Sequence, residues 1–171
     1  MNIRTLTLIA ATIGASALYG QDNPFSADAK QSYTGIKNTL TKAADKMSEA
    51  DYSFKATPAV RTYGEMVGHV ADIQMILCGL AKGEQNKPTA GSKTSKADLE
   101  AALKASFDYC DAVYDSMTDA AGAQKVEMFG RDVTKLGVLN FNIAHDNEMY
   151  GNMVAYLRLK GLVPPSSERR P

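Results

Sequence analysis

The chain has 171 residues, and its 19 basic and 19 acidic side chains give a formal net charge of zero. Both signs are mixed along the chain without a basic block, which argues against nucleic acid as a partner. This length is expected to form one domain with a core large enough to need no metal or disulfide staples.

The N-terminal segment has the layout of a secretory signal peptide. Arg4 gives a positive start, residues 6–18 are uncharged and mostly apolar, and Ala15-Ser16-Ala17 offers a cleavage site between small residues. The apolar run is shorter than the roughly 20 residues that span a bilayer, although an uncleaved N-terminal anchor is an alternative. We expect residues 1–20 to be a signal peptide, residues 21–171 to be a single domain, and the mature protein to be periplasmic or secreted without a membrane partner.

Four later segments carry the apolar spacing of amphipathic helices. The first runs from about Ser26 to Met47. The second begins at the capping box Thr62-Tyr63-Gly64-Glu65 and ends at Gly83, the third extends from Ser95 to about Thr118, and the fourth extends from Thr134 to Lys160. No stretch shows sustained alternation of apolar and polar residues, so no strand is predicted. The predicted fold class is all-α, a four-helix bundle.

Two long connections join these helices. Gly83–Thr94 could reach ~40 Å if extended, so the second and third helices need not be antiparallel. Ala120–Val133 is expected to be an ordered loop over one bundle end. Cys78 and Cys110 could pair only if the second and third helices run parallel. Two buried free thiols are the simpler expectation, because cysteine is a common core residue.

Both histidines of the chain fall on the inner faces of predicted helices. His69 lies on the second helix, and His145 lies on the fourth, one turn before Met149. Two imidazoles from separate helices can meet in a bundle core and hold a divalent ion. The same spacing also fits ordinary interior histidines that hydrogen-bond to Asp72, Asn142 or a backbone carbonyl, and spacing by itself favours that interpretation.

A firm metal site needs more than two ligands, and the candidates for a third are Met149, Glu148, Asp72, Glu65 and solvent. Met149 and Glu148 both lie within about 60° of His145 around the helix. A carboxylate would suit zinc, nickel, iron or manganese, whereas the thioether of Met149 suits copper(I). The predicted site comprises His69, His145 and Met149, with Glu148 or Asp72 as substitutes for Met149.

Three segments in order resemble the DinB family and cover essentially the whole mature chain. Val60–Glu84 resembles its second helix, Ser106–Asp111 its third, and Asn140–Ser167 its fourth. The resemblance implies a bundle of up-down-down-up topology, which suits the long crossover, and it makes a homodimer an expected assembly. It also implies a metal site of three histidines. His69 and His145 match two of them, and the third position holds Met149.

Three functions are open. By resemblance, because related proteins include metal-dependent thiol S-transferases and a thiol-dependent isomerase, the chain is expected to be a metal-dependent transferase or hydrolase acting on a small molecule. The second function is a metal-free ligand-binding bundle with an apolar pocket lined by Met66, Phe141, Met149 and Tyr156. The third is a His/Met site for copper or haem, with non-covalent haem because no C-x-x-C-H motif occurs.

Overall fold

The computed structural model describes residues 22–168. Four long helices form the bundle: α1 (Pro24–Lys46), α2 (Tyr63–Lys82), α3 (Lys96–Ser116) and α5 (Lys135–Leu159). Between α3 and α5 lie a single-turn helix, α4 (Asp119–Gly122), and an antiparallel hairpin of β1 (Lys125–Met128) and β2 (Arg131–Thr134). The predicted signal peptide, residues 1–20, lies outside the described residues. Within residues 22–168, no helix combines the length and apolarity needed to cross a bilayer.

The helix ends follow the predicted local signals. The Thr62 hydroxyl accepts the N–H of Glu65, and the Glu65 carboxylate accepts the N–H of Thr62, which forms the predicted capping box. Helix α2 ends at Gly83, whose φ of 92° lets its N–H bond to carbonyls of the last turn. The hydroxyls of Ser95 and Thr134 cap α3 and α5 in the same way as Thr62 caps α2. The four predicted helices are therefore confirmed.

Helices α2 and α3 run parallel, which gives the bundle its up-down-down-up topology. Leu99 at the start of α3 lies against Gly64 at the start of α2, and further along the same two helices Cys78 and Cys110 form a disulfide. The start of α2 also lies beside the ends of α1 and α5, which run the opposite way. The expectation of two free thiols is wrong. Parallel helices put the two cysteines at the same height, with Cα atoms 5.4 Å apart.

The crossover between α2 and α3 is fastened to α2 by Asp72. One oxygen of its carboxylate accepts the N–H groups of Thr89 and Ala90, both at 2.7 Å, and the other accepts that of Gly91 at 2.9 Å. Ala90 is consequently buried against the bundle. The long connection is thus an ordered wall beside the start of α2.

The segment predicted as a loop, Ala120–Val133, contains most of α4 and most of the hairpin. The absence of strands was a wrong prediction here, because strands of four residues are too short to show an alternating pattern. Val126, Met128 and Val133 are partly buried and pack on the core. The hairpin therefore closes the bundle end at the start of α5, as expected for this connection.

Candidate functional site: two facing imidazoles beside a cleft

The two histidines meet between α2 and α5. The Nε2 atoms of His69 and His145 lie 3.2 Å apart, with the ring planes inclined at 67°. Two nitrogens bound to one tetrahedral ion at about 2.0–2.1 Å are separated by about 3.3–3.4 Å, so the observed separation fits a shared ion. Without an ion, one imidazole can donate its Nε2–H to the other. The geometry brings the two predicted ligands to a single point.

A buried carboxylate stands on the other side of His145. Asp146 is fully buried, and its Oδ1 lies 3.8 Å from Nδ1 of His145, which is too long for a hydrogen bond. Neither carboxylate oxygen has a hydrogen-bond partner, and neither does Nδ1 of His145. Burial raises the pKa of Asp146 to about 6, and the neighbouring imidazole of His145 opposes that rise. A shift of about 1 Å would bring this carboxylate into hydrogen-bond distance of Nδ1, the arrangement by which carboxylates orient metal-binding imidazoles.

A buried polar pair lies one helical turn from Asp146. Asn142, one turn before Asp146, is also buried and donates through Nδ2 to Oε1 of Gln74 on α2, at 3.1 Å. Asp146 was not among the predicted site residues, and Asn142, predicted as a possible partner of a histidine, bonds to Gln74 instead. The signal was available, because Leu139, Asn142, Asp146 and Met153 form one inward stripe at helical spacing on α5.

The pKa of His69 lies below its ordinary value. Burial is the main cause, and the charges of Arg61 and His145 lower the pKa of His69 further, against the opposing charges of Asp72 and Glu148. A lowered pKa favours the neutral imidazole near pH 7. The neutral form is the one that can ligate a metal.

The remaining predicted ligands differ in how they are placed. Met149 is buried and lines the cleft beside His69. Glu148 is exposed, and its charge acts on His69. Asp72 holds the crossover, and Glu65 forms the α2 capping box. Among residues 22–168, no group of three or more His, Cys, Asp or Glu side chains is placed to hold a metal ion. Coordination by the two histidines and Met149 stays a prediction.

A cleft of about 820 Å³ opens beside His69, a size suited to a small organic molecule. Met66, Met149 and Tyr156 line it, as predicted. Phe141 was wrongly predicted to line it: the ring is 42% exposed and packs edge-on against Phe129 at the hairpin tip, 5.9 Å between centroids. Phe141 precedes His145 by one turn and so lies toward the hairpin end, whereas the cleft extends the other way.

This bundle has recognisable relatives. The sequence model of the DinB superfamily matches residues 33–151. The chain belongs to the DinB superfamily. Among curated proteins, the uncharacterized protein YjoA of Bacillus subtilis (strain 168) is 22% identical over 129 residues, which cover 73% of this chain and 84% of YjoA.

Solved structures show the same DinB fold. The DinB-like crystal structure of B. subtilis YjoA has a TM-score of 0.70 at 22% identity, over 84% of this chain and 99% of that one. A DinB-like protein from Bacillus cereus has a TM-score of 0.72 at 20% identity, over 81% of this chain and 95% of that protein. A mycothiol-dependent maleylpyruvate isomerase has a TM-score of 0.62 at 14% identity, over 75% of this chain and 59% of the isomerase. Identities this low speak to the fold alone.

Proposed function

We propose that this DinB-superfamily protein binds a divalent transition-metal ion through Nε2 of His69 and Nε2 of His145. We further propose that it acts on a small molecule in the adjoining cleft, as a metal-dependent transferase or hydrolase. The observation that carries the proposal is the 3.2 Å separation of the two nitrogens, each presented by a rigid helix. The similarity in fold to a mycothiol-dependent isomerase supports a thiol as one reactant.

The side chains around the ion site have separate tasks. When bound, the ion would supply Lewis acidity toward a thiol or water. Asp146, buried 3.8 Å from Nδ1 of His145, is the group that would orient this imidazole if binding of an ion drew the two side chains into hydrogen-bond distance. Met66, Met149 and Tyr156 bind the apolar part of the substrate and exclude water from it. The exposed carboxylate of Glu148 is the candidate base for the reacting group.

Export is part of the same proposal. A structural disulfide persists in the periplasm or outside the cell and is rare in the reducing cytosol. The Cys78–Cys110 disulfide therefore supports the signal peptide expected at residues 1–20.

The test is metal content followed by titration. Untagged protein is analysed for zinc, nickel, iron, manganese and copper, then titrated with Zn²⁺ and Ni²⁺ against a chromophoric chelator. We expect one ion per chain, loss of binding in His69→Gln and His145→Gln, and at least about tenfold tighter binding in Met149→His, where a third imidazole replaces a thioether. Absence of binding in the parent protein, even after reconstitution, would overturn the proposal.

A metal-free ligand-binding bundle is the second candidate. It is favoured by Met149, a poor zinc or nickel ligand at the third position, and by the lack of a third His, Cys, Asp or Glu ligand within residues 22–168. The same titration separates the two, because a metal-free bundle shows no ion in the parent protein. Retention of copper(I) that is lost in Met149→Ala would instead indicate a His/Met copper site.

A further inference from the structure

The cleft beside His69 has an uneven charge lining. Three cations line it, Lys55 and Arg61 from the α1–α2 connection and Lys93 from the crossover, against two carboxylates, Glu65 and Asp72. Because these residues come from separate segments, the fold itself has assembled the charges around the cleft. A charged group that is already paired within the protein is less available to a ligand, so the partners of each of these side chains must be considered.

Both carboxylates already accept hydrogen bonds from the backbone of the protein. Asp72 accepts three backbone N–H groups of the crossover. Glu65 accepts the N–H of Thr62 at 2.6 Å and has Nζ of Lys55 at 3.9 Å. The oxygens of both carboxylates are thus occupied by donors that belong to the fold, which leaves them few acceptor positions for a ligand.

The two other cations have no such partner. Within residues 22–168, neither Arg61 nor Lys93 forms an ion pair or a hydrogen bond through its side chain. Their backbones are nevertheless fixed. The hydroxyl of Tyr156 donates to the carbonyl of Arg61 at 2.7 Å, and the N–H of Lys93 donates to Ala90, in the segment held by Asp72. Two cations on anchored backbone therefore border the cleft beside His69 with their side-chain donors unpaired among the described residues, although the charge of Arg61 also acts on Glu65 and His69.

We propose that the molecule acted on in this cleft is a small organic anion, with its carboxylate or phosphate group bound by Arg61 and Lys93. The guanidinium presents paired donors that match an oxyanion, and the ammonium adds a second charge. The oxyanion thus anchors one end of the molecule, and the other end lies along the apolar wall toward His69, the member of the imidazole pair that lines the cleft. This inference rests on the proposed function and adds the substrate class to it.

The test is calorimetric titration of the full protein with succinate, inorganic phosphate and uncharged succinamide, at low salt, with and without added Zn²⁺. We expect at least one of the two anions to bind, succinamide not to bind, and affinity to fall about tenfold in Arg61→Gln and in Lys93→Gln. Binding of succinate points to a carboxylate substrate and binding of phosphate alone to a phosphate ester; either supports the proposal. Lys125→Gln, on the hairpin at the opposite bundle end, is the matched control and should bind as the parent does.

Amide chemical-shift mapping of the unaltered protein gives a second measurement that depends on no variant. Anion-induced shifts should cluster at Gly64, His69 and Gly91, which line the cleft. The inference is overturned if neither anion binds, if the Lys125 variant weakens binding as much as the cleft variants, or if the shifts fall elsewhere. Metal binding without anion binding would overturn this inference alone, and anion binding without metal binding would overturn the ion site alone.

Discussion

The disulfide between α2 and α3 should be a main source of the stability of the bundle. It closes a loop in which Cys78 and Cys110 are 32 residues apart. In the chain-entropy model this loop removes about 12 cal/mol/K from the unfolded chain, so the bond stabilises the fold by about 3.7 kcal/mol at 25 °C. For a domain of this size, each 1 kcal/mol moves Tm by about 2–4 °C, and reduction should lower Tm by about 7–15 °C.

Urea denaturation of the oxidised protein and of the fully reduced protein measures this difference at a fixed sequence. The double variant Cys78→Ala/Cys110→Ala is the control, because its stability must not respond to reductant. A thiol count on unreduced protein in denaturant should give no free thiol. Two titratable thiols, or a loss on reduction below about 1 kcal/mol, would refute the argument that parallel helices join these cysteines.

Three further changes test how the elements are held. Gly83→Ala should lower the free energy of unfolding by about 1 kcal/mol, because a residue with a side chain is strained at the φ of 92°. The control Gly35→Ala, inside α1 where a Cβ meets no other atom, should raise the free energy of unfolding by about 0.5–1 kcal/mol. Equal effects of the two changes in urea denaturation would contradict this reasoning. Asp72→Ala should lower stability by about 2 kcal/mol and speed hydrogen exchange of the three amides it binds in the crossover, and unchanged exchange would show that the crossover is held otherwise. Burial raises the pKa of Asp119, but hydrogen bonds from backbone N–H groups at the start of α1 outweigh it and hold the pKa below its usual range. The stabilisation that ionised Asp119 gives the fold is therefore present above about pH 4 and is lost as the pH falls further. Asp119→Asn should be less stable than the parent at pH 7, and its Tm should fall less than that of the parent when the pH is lowered below about 4. An equal fall of Tm in both proteins would contradict this role of Asp119.

The local elements of this protein could be predicted from sequence because their signals lie within a few residues. Apolar spacing and caps at Thr62, Ser95 and Thr134 set the helices, since an amphipathic face and a satisfied first turn need no distant partner. The same spacing placed His69 and His145 on inner faces, and the structure brings them together. The short hairpin escaped prediction because its four-residue strands are specified by packing on the bundle.

The tertiary structure alone decided which residues serve the site and which serve the fold. The parallel course of α2 and α3 joined Cys78 to Cys110, and it is set by a crossover whose path depends on Asp72. Burial of Asp146 behind His145 depends on the packing of α1 and α2 against α5. Sequence fixes residue spacing along one helix, whereas partners across the bundle depend on helix direction and height, which a 3.6-residue period does not encode.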